Sequence, residues 1–194
     1  MIEIEKIKQK FGENFETDEQ TFVMGIHKDF ANKIAKRFSR CKKVLDSCAG
    51  AGFMSIVLAQ YVEEVIAVDI DSSHLEMAKH NALIAGVQDK IRFIHGDILN
   101  KKILDQIENI DGAFLDPDWS IEQNKRIHVT SLKSMIPQAD LLFKEISLKT
   151  NNIALRLPKE LNLSELADLP KHEVEEEIME NKLKFYSIYF GNLI

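Results

Sequence analysis

The stretch 44–52, VLDSCAGAG, constrains what this chain can fold into more than any other part of it. Val44 and Leu45 close a short apolar run that reads as a buried strand, Asp46 stands at its end, and Gly50 and Gly52 follow in a loop. From Phe53 onward the pattern turns helical, with Phe53, Ile56, Val57 and Tyr61 recurring at helix spacing. Strand, glycine loop and helix open a βαβ nucleotide site, in which glycines let the backbone approach a ligand at the helix N-terminus. The glycines alone leave two readings open, because any tight strand-to-helix turn needs them as well.

The rest of the chain repeats that rhythm. Further strands are predicted over 62–69, 91–95, 110–115 and 152–158, each reached through a helical or polar stretch. Asp71, Ser72 and Ser73 cap a helix that runs from about His74 to Ala85 and stops at Gly86. Short helices are expected around 103–107 and 139–148. Alternating strands and helices imply a parallel sheet covered on both faces. The end departs from this: KHEVEEEIMEN and KLKFYSIYFGNLI are two β-rich runs with no helix between them, so they read as a hairpin that adds one antiparallel strand. Ahead of the first strand, residues 2–11 form an amphipathic helix, 16–24 an ordered loop anchored by Phe22 and Val23, and 28–38 a helix with Phe30, Ile34, Ala35 and Phe38 inward. The expected organisation is a helical extension over 1–40 packed on a core domain over 41–194.

At 194 residues the chain fits one α/β domain. It has no apolar run near the ~20 residues of a membrane span, and MIEIEKIKQKF lacks the apolar centre of a signal peptide, so a cytoplasmic protein is expected. Cys41 and Cys48 are too few for a disulfide framework, and the six histidines show no ligand spacing, so no metal is expected. The net charge of −6 argues against sequence-independent binding to long nucleic acid. It leaves room for local basic groups: Lys33, Lys36, Arg37, Arg40, Lys42 and Lys43 crowd one segment, and Lys125, Arg126 and His128 form a second. Taken alone, each reads better as a solvated helix face or loop. The acidic run over 173–180 is a side that a polyanion should avoid.

Four successive strand ends carry acids: Asp46, Asp69, Asp97 and Asp116. Ligands of open α/β sheets bind outside the carboxyl ends of the strands, so these acids mark the candidate site. One acid there commonly caps the next helix, as Asp71 is expected to do; four in a row are harder to assign to capping. A carboxylate at position 46 would repel a pyrophosphate but suits a ligand with positive charge, such as S-adenosylmethionine with its ammonium and sulfonium. On this reading Asp46 helps hold the ammonium, and Ser47, Cys48, Ala49, Gly50 and Gly52 form the loop around it. Asp69 accepts from both ribose hydroxyls, Asp97 accepts from the adenine amino group, and Ile70 and Ile98 flank the adenine ring.

VLDSCAGAGF, VIAVDID, HGD and LDPDW together resemble the motifs of class I S-adenosylmethionine-dependent methyltransferases. From about Phe22 onward, and most specifically in ENKLKFYSIYFGNLI, the chain is similar to the trimethylguanosine synthases, the RNA cap guanine-N2 methyltransferase family. The resemblance implies a Rossmann-like α/β fold with a seven-stranded, mostly parallel sheet whose last strand is antiparallel. It also implies transfer of a methyl group to an exocyclic guanine amine in RNA or a nucleotide, leaving S-adenosylhomocysteine. In such enzymes a polar side chain and a proline carbonyl accept the amine hydrogens while an aromatic stacks on the base, which assigns those roles to Asp116, Pro117 and Trp119. The family carries Ser-Pro-Pro-Trp and glycines where this chain reads Asp116-Pro117-Asp118-Trp119-Ser120-Ile121, and tends to carry Thr-Pro at Ile26-His27. Asp118 then reads either as a second acceptor for the guanine edge or as the cap of a turn. Competing functions are methylation of a protein or small-molecule nitrogen, and a cofactor-binding module without turnover. Neither the natural acceptor nor the oligomeric state is legible.

Overall fold

The structure is a computed structural model that describes residues 2–119 and 129–194. The strands are β1 (Lys43–Asp46), β2 (Glu64–Asp69), β3 (Ile91–His95), β4 (Gly112–Leu115), β5 (Ile153–Pro158), β6 (His172–Met179) and β7 (Lys182–Phe190). Among the described residues they form one sheet in the order β3-β2-β1-β4-β5-β7-β6. β1 pairs in parallel with both β2 and β4, β4 with β5, and β7 runs antiparallel to β5 and β6. This is the seven-stranded, mostly parallel sheet that the resemblance implies. The strand order reverses at β1, so the crevice between β1 and β4 is where a ligand is expected.

Side chains alternate along each strand and feed two cores, one on each face. Val44, Val65 and Ala67 enter the first, with the helices α3 (Lys28–Arg37) and α4 (Phe53–Leu58) over it. Leu45, Ile66 and Val68 enter the second, with α7 (Ala139–Ser147) and the hairpin residues Ile188 and Phe190. The hairpin turns at Glu180 and Asn181, with φ of 54° and 57°. Two left-handed residues in succession match the right-handed twist of the flanking strands.

The amino-terminal segment differs from the expectation in one place. Residues 16–24 are not simply a loop: α2 (Glu19–Met24) forms there, after α1 (Ile4–Phe11). Asp18 and Thr21 build a reciprocal cap, in which the Thr21 amide donates to Asp18 Oδ1 at 2.7 Å and the Asp18 amide donates to Thr21 Oγ1 at 3.1 Å. Such a cap stabilises a helix too short to hold on propensity alone. Phe11 stacks on Phe53 with ring centroids 3.6 Å apart. Asn81, on α5 (Ser72–Ile84), is fully buried and adds a polar pin. It accepts from the Glu16 amide at 2.6 Å and donates to the Glu16 and Ala51 carbonyls, both at 2.9 Å. The segment is thereby tied to the glycine loop itself.

Two cations of the basic run at 33–43 are partners of the acidic run at 173–180. Arg37 pairs with Glu173 at 2.7 Å, and Lys33 with Glu175 at 2.8 Å and Glu177 at 2.9 Å. Glu177 is buried and also accepts from Ser187 Oγ at 2.9 Å. Lys42 and Lys43 pair with Glu63 and Glu64 at 3.5 and 2.8 Å. These cations dock α3 on β6 and the start of β1 on β2, so they present no free basic patch. The second basic group, Lys125, Arg126 and His128, lies outside the described residues.

Candidate active site

The loop from β1 to α4 is stitched to both neighbouring strands. The Ser47 amide donates to the Phe114 carbonyl at 3.1 Å and the Ala49 amide to the Val68 carbonyl at 2.9 Å. Gly50 has φ +52° and its missing Cβ would face open space. Gly52 has φ +82°, and a Cβ there would come within 2.9 Å of the Ala78 Cβ on α5. Only glycine satisfies both demands at position 52.

Asp46 lies beneath this loop with no exposed surface. Its Oδ2 accepts from Ser55 Oγ at 2.6 Å, while its Oδ1 is buried without a partner. Burial pushes the carboxyl up to about 7; the Ser55 hydrogen bond opposes this, and the charges of Asp116 and Asp69 add to it. Asp69 accepts from the Gly50 amide at 2.7 Å and, with its other oxygen, from the Asp71 amide at 2.9 Å. It therefore shapes the loop as well as facing the crevice. His74 Nδ1 lies 3.7 Å from Asp69, whose hydrogen bond raises the imidazole against the effect of burial. Asp71 caps α5, accepting from the amides of Ser73 at 2.7 Å and His74 at 3.4 Å. Asp97 is exposed and accepts from the Leu99 amide at 2.9 Å. Ile70 is 70% exposed on the same rim, whereas Ile98 is 4% exposed and belongs to the core below it.

The acceptor side is built at the end of β4. Asp116 Oδ2 accepts from Arg156 Nη1 at 2.8 Å. The β4–β5 register, with Leu115 opposite Leu155, puts these two residues next to each other. Arg156 is 8% exposed; its Nη1 also donates to the Met24 carbonyl at 3.0 Å. Its guanidinium lies 4.5 Å from the centre of the Trp119 ring and 4.6 Å from that of Phe185. Pro117 is buried, and Trp119 is half-buried with its Nε1 enclosed and without a partner. Asp118 exchanges backbone hydrogen bonds with Ile136, at 2.7 and 3.0 Å. Burial raises the Asp116 carboxyl, the Arg156 charge and hydrogen bond pull it back, and Asp118 adds to the rise. Lys10 donates to the Phe22 and Val23 carbonyls, and burial together with the Arg156 charge pushes its amine down to about 8.

The two sides meet at Cys48. Its thiol is pushed well up, first by burial and then by the charges of Asp69, Asp116 and Asp46. The charges of three strand-end acids thus act on one loop residue, whereas Asp97 stands on the exposed edge. Ser55, His74 and Arg156 are partners that the motifs do not reveal. The one signal for Arg156 is a lone charge inside the apolar run NIALRLP. Among the described residues no group of His, Cys, Asp and Glu could hold a metal ion, and no helix is long and apolar enough to cross a membrane. Two open hollows, of about 610 and 530 Å³, lie around Arg40 and Cys41 at the amino ends of the strands, away from these acids.

Solved structures of methyltransferases share this fold. A methyltransferase from Geobacter sulfurreducens superposes with a TM-score of 0.58 at 16% identity, covering 96% of this chain and 86% of that one. An O-methyltransferase from Bacillus cereus, in complex with S-adenosylhomocysteine, gives 0.62 at 13% identity over 87% and 83% of the two chains. Sheet order, glycine loop and strand-end acids define a class I methyltransferase, whose cofactor is S-adenosylmethionine. The orphaned Asp46 oxygen, the open space at Gly50 and the Asp69 carboxylate suit the cationic and diol parts of that group.

The model of the RNA cap guanine-N2 methyltransferase family matches residues 41–193, and the chain belongs to that family. It is 31% identical to the trimethylguanosine synthase of Schizosaccharomyces pombe over 165 residues, which are 81% of this chain and 69% of that protein. The tRNA1(Val) (adenine(37)-N6)-methyltransferase of Vibrio vulnificus is 32% identical over 84 residues, 42% of this chain and 34% of that enzyme. The chain is an S-adenosylmethionine-dependent N-methyltransferase of the guanine-N2 type.

Proposed function

We propose that this enzyme methylates the exocyclic N2 amine of a guanine in RNA, with the base seated between Asp116 and Trp119. The observation that carries the reading is the meeting of the β4 motif with the glycine loop: Asp46 lies opposite Phe114 in the β1–β4 pair, the Ser47 amide donates to the Phe114 carbonyl at 3.1 Å, and Asp116 to Trp119 follow at the end of that strand. S-adenosylmethionine supplies a methyl group on a sulfonium, a leaving group that needs no acid. The protein's task is then alignment, which can supply much of the rate. Asp116 Oδ1 and the Pro117 carbonyl accept the two amine hydrogens and turn the nitrogen lone pair toward the methyl. Asp116 Oδ1 can also take the proton that the nitrogen sheds once methylated. Stacking on Trp119 would contribute roughly 1–3 kcal/mol.

On the cofactor side, Asp69 accepts from the ribose hydroxyls and Asp97 from the adenine amino group, with Ile70 on the adenine face and Ile98 at its edge. Ser47, Cys48, Ala49, Gly50 and Gly52 line the methionine end, and Asp46 favours the ammonium from beneath. Asp118 is assigned to the guanine edge, and Asp118→Ala tests that separately. Residues 1–40 act as an extension that closes the acceptor side of the 41–194 domain through Met24. Two free cysteines suit a reducing compartment, which supports a cytoplasmic location.

The decisive experiment is transfer from labelled cofactor to total RNA, followed by nucleoside mass spectrometry. Label in N2-methylguanosine is the expected result. Label in another nucleoside, or in protein alone, would overturn the acceptor assignment.

A further inference from the structure

Arg156 occupies a place where a charge is costly. It is 8% exposed in a strand that is otherwise apolar, and its Nε is buried without a partner. A buried ion pair adds little stability over well-packed apolar residues of the same volume. Its surroundings point elsewhere. Asp116 and Trp119 come from the β4 motif, Met24 from the end of α2, and Phe185 from β7. The guanidinium thus joins both groups that face the acceptor base to the segment that covers them. It engages only Asp116 Oδ2; among the described residues Oδ1 carries no hydrogen bond.

We propose that Arg156 is the positioning residue of the acceptor site, aiming Asp116 Oδ1 at the target amine and fixing the plane of the Trp119 ring. The proposal rests on the reading of Asp116 and Trp119 given above. A planar guanidinium can hold a carboxylate, a carbonyl and a ring face together, which an ammonium cannot. The same contact favours the ionised form of Asp116 against the effect of its burial. Burial and Asp118 push its proton affinity up, Arg156 opposes them, Asp46 and Cys48 share its field across the β1 side, and Lys10 of α1 faces Arg156.

The test uses the full chain with labelled S-adenosylmethionine and total RNA, comparing wild type, R156M, R156K, D116N and the R156M/D116N double variant. R156M is expected to lower kcat about 100-fold, the cost of a small misplacement of reacting groups, while cofactor affinity is unchanged. The acid limb of its pH profile should move upward. In the D116N background R156M should cost less than about threefold, because the two residues act as a unit. Trp119 is the only tryptophan, so its fluorescence reports directly on the ring; acrylamide should quench it more readily in R156M. Equal cost in both backgrounds, or wild-type rate with unmoved Trp119 quenching and acid limb, overturns the proposal. Should R156M fail to fold, as judged by cofactor binding and a thermal melt, R156K carries the test: an intermediate loss is expected, and wild-type rate with unchanged quenching overturns it. Wild-type rates in Asp116→Ala and Trp119→Ala would mean that the site reading itself has failed. Inactivity of those two beside a fully active R156M would remove Arg156 alone.

Discussion

The two sides of the β1–β4 crevice hold their acids by different means. On the proposed cofactor side, Asp97 is held by a backbone amide of its own turn, Asp69 by one amide of its own turn and one of the glycine loop, and Asp46 by a hydroxyl on the next helix. On the acceptor side, Asp116 is held by a side-chain cation from another strand, which also leans on α2 and β7. A site for an invariant ligand can be written into local turns. A site for a varied acceptor is assembled from distant parts, and each part is a place where specificity can change.

That contrast can be broken most sharply by a pair of variants. Asp116→Ala should lower kcat about 10³-fold, in the range of a lost general base, and leave cofactor affinity within about twofold of wild type. Asp69→Ala should do the reverse, weakening cofactor binding about 100-fold through lost charge-assisted hydrogen bonds. Calorimetry with S-adenosylhomocysteine and single-turnover rates separate the two; a shared phenotype would mean that the sides are not independent. Gly52→Ala should destabilise the fold by about 2–3 kcal/mol, from a strained left-handed φ and the contact with Ala78. Denaturant titration measures it, with the loss expected in cofactor binding too.

Asp46→Asn has a smaller effect, and it depends on pH. Burial raises this carboxyl from 3.8 to about 7, so the folded protein holds a proton that the unfolded chain releases. Stability from this group is full below the unfolded value, falls as pH rises across that window, and levels off above it. The neutral amide lacks this slope. Asp46→Asn should therefore gain on the wild type as pH rises from about 4 to about 7, and keep that gain above it. Melting temperatures without cofactor read this directly, and an advantage that shrinks with pH would refute it. The smallest effect is expected from Cys48→Ser. Burial and three carboxylates push its thiol well up, so a thiol reagent should react with it slowly, and the near-isosteric serine, which keeps the loop that lines the methionine end, should weaken cofactor binding only slightly.

Legibility in the sequence follows the same division. On the proposed cofactor side the local parts could be read, since VLDSCAGAG and HGD each carry an acid beside the turn that follows it, whereas the contact of Asp69 with Gly50 in the earlier loop could not. The sheet, including the antiparallel strand inferred from two helix-free runs, follows from periodicity for the same reason. Arg156, Ser55 and His74 escape because their meaning lies in what they touch. Arg156 meets Met24 across more than half the chain, and nothing near NIALRLP signals that contact. The helix at 19–24 hid behind a polar stretch whose Asp18–Thr21 cap becomes visible only with coordinates. Charge composition also hid a pairing, since Lys33 and Arg37 of the basic run spend their charge on Glu173, Glu175 and Glu177 of the acidic run.

One consequence follows from the place of β7, the last strand in sequence yet an interior one in the sheet. The residues proposed for the S-adenosylmethionine rim are all made by residue 98, but Phe114, whose carbonyl ties down the glycine loop, comes later, and the aromatic that backs the guanidinium arrives only at residue 185. Domains generally fold as units, so neither side of the crevice is complete until this last strand has been made.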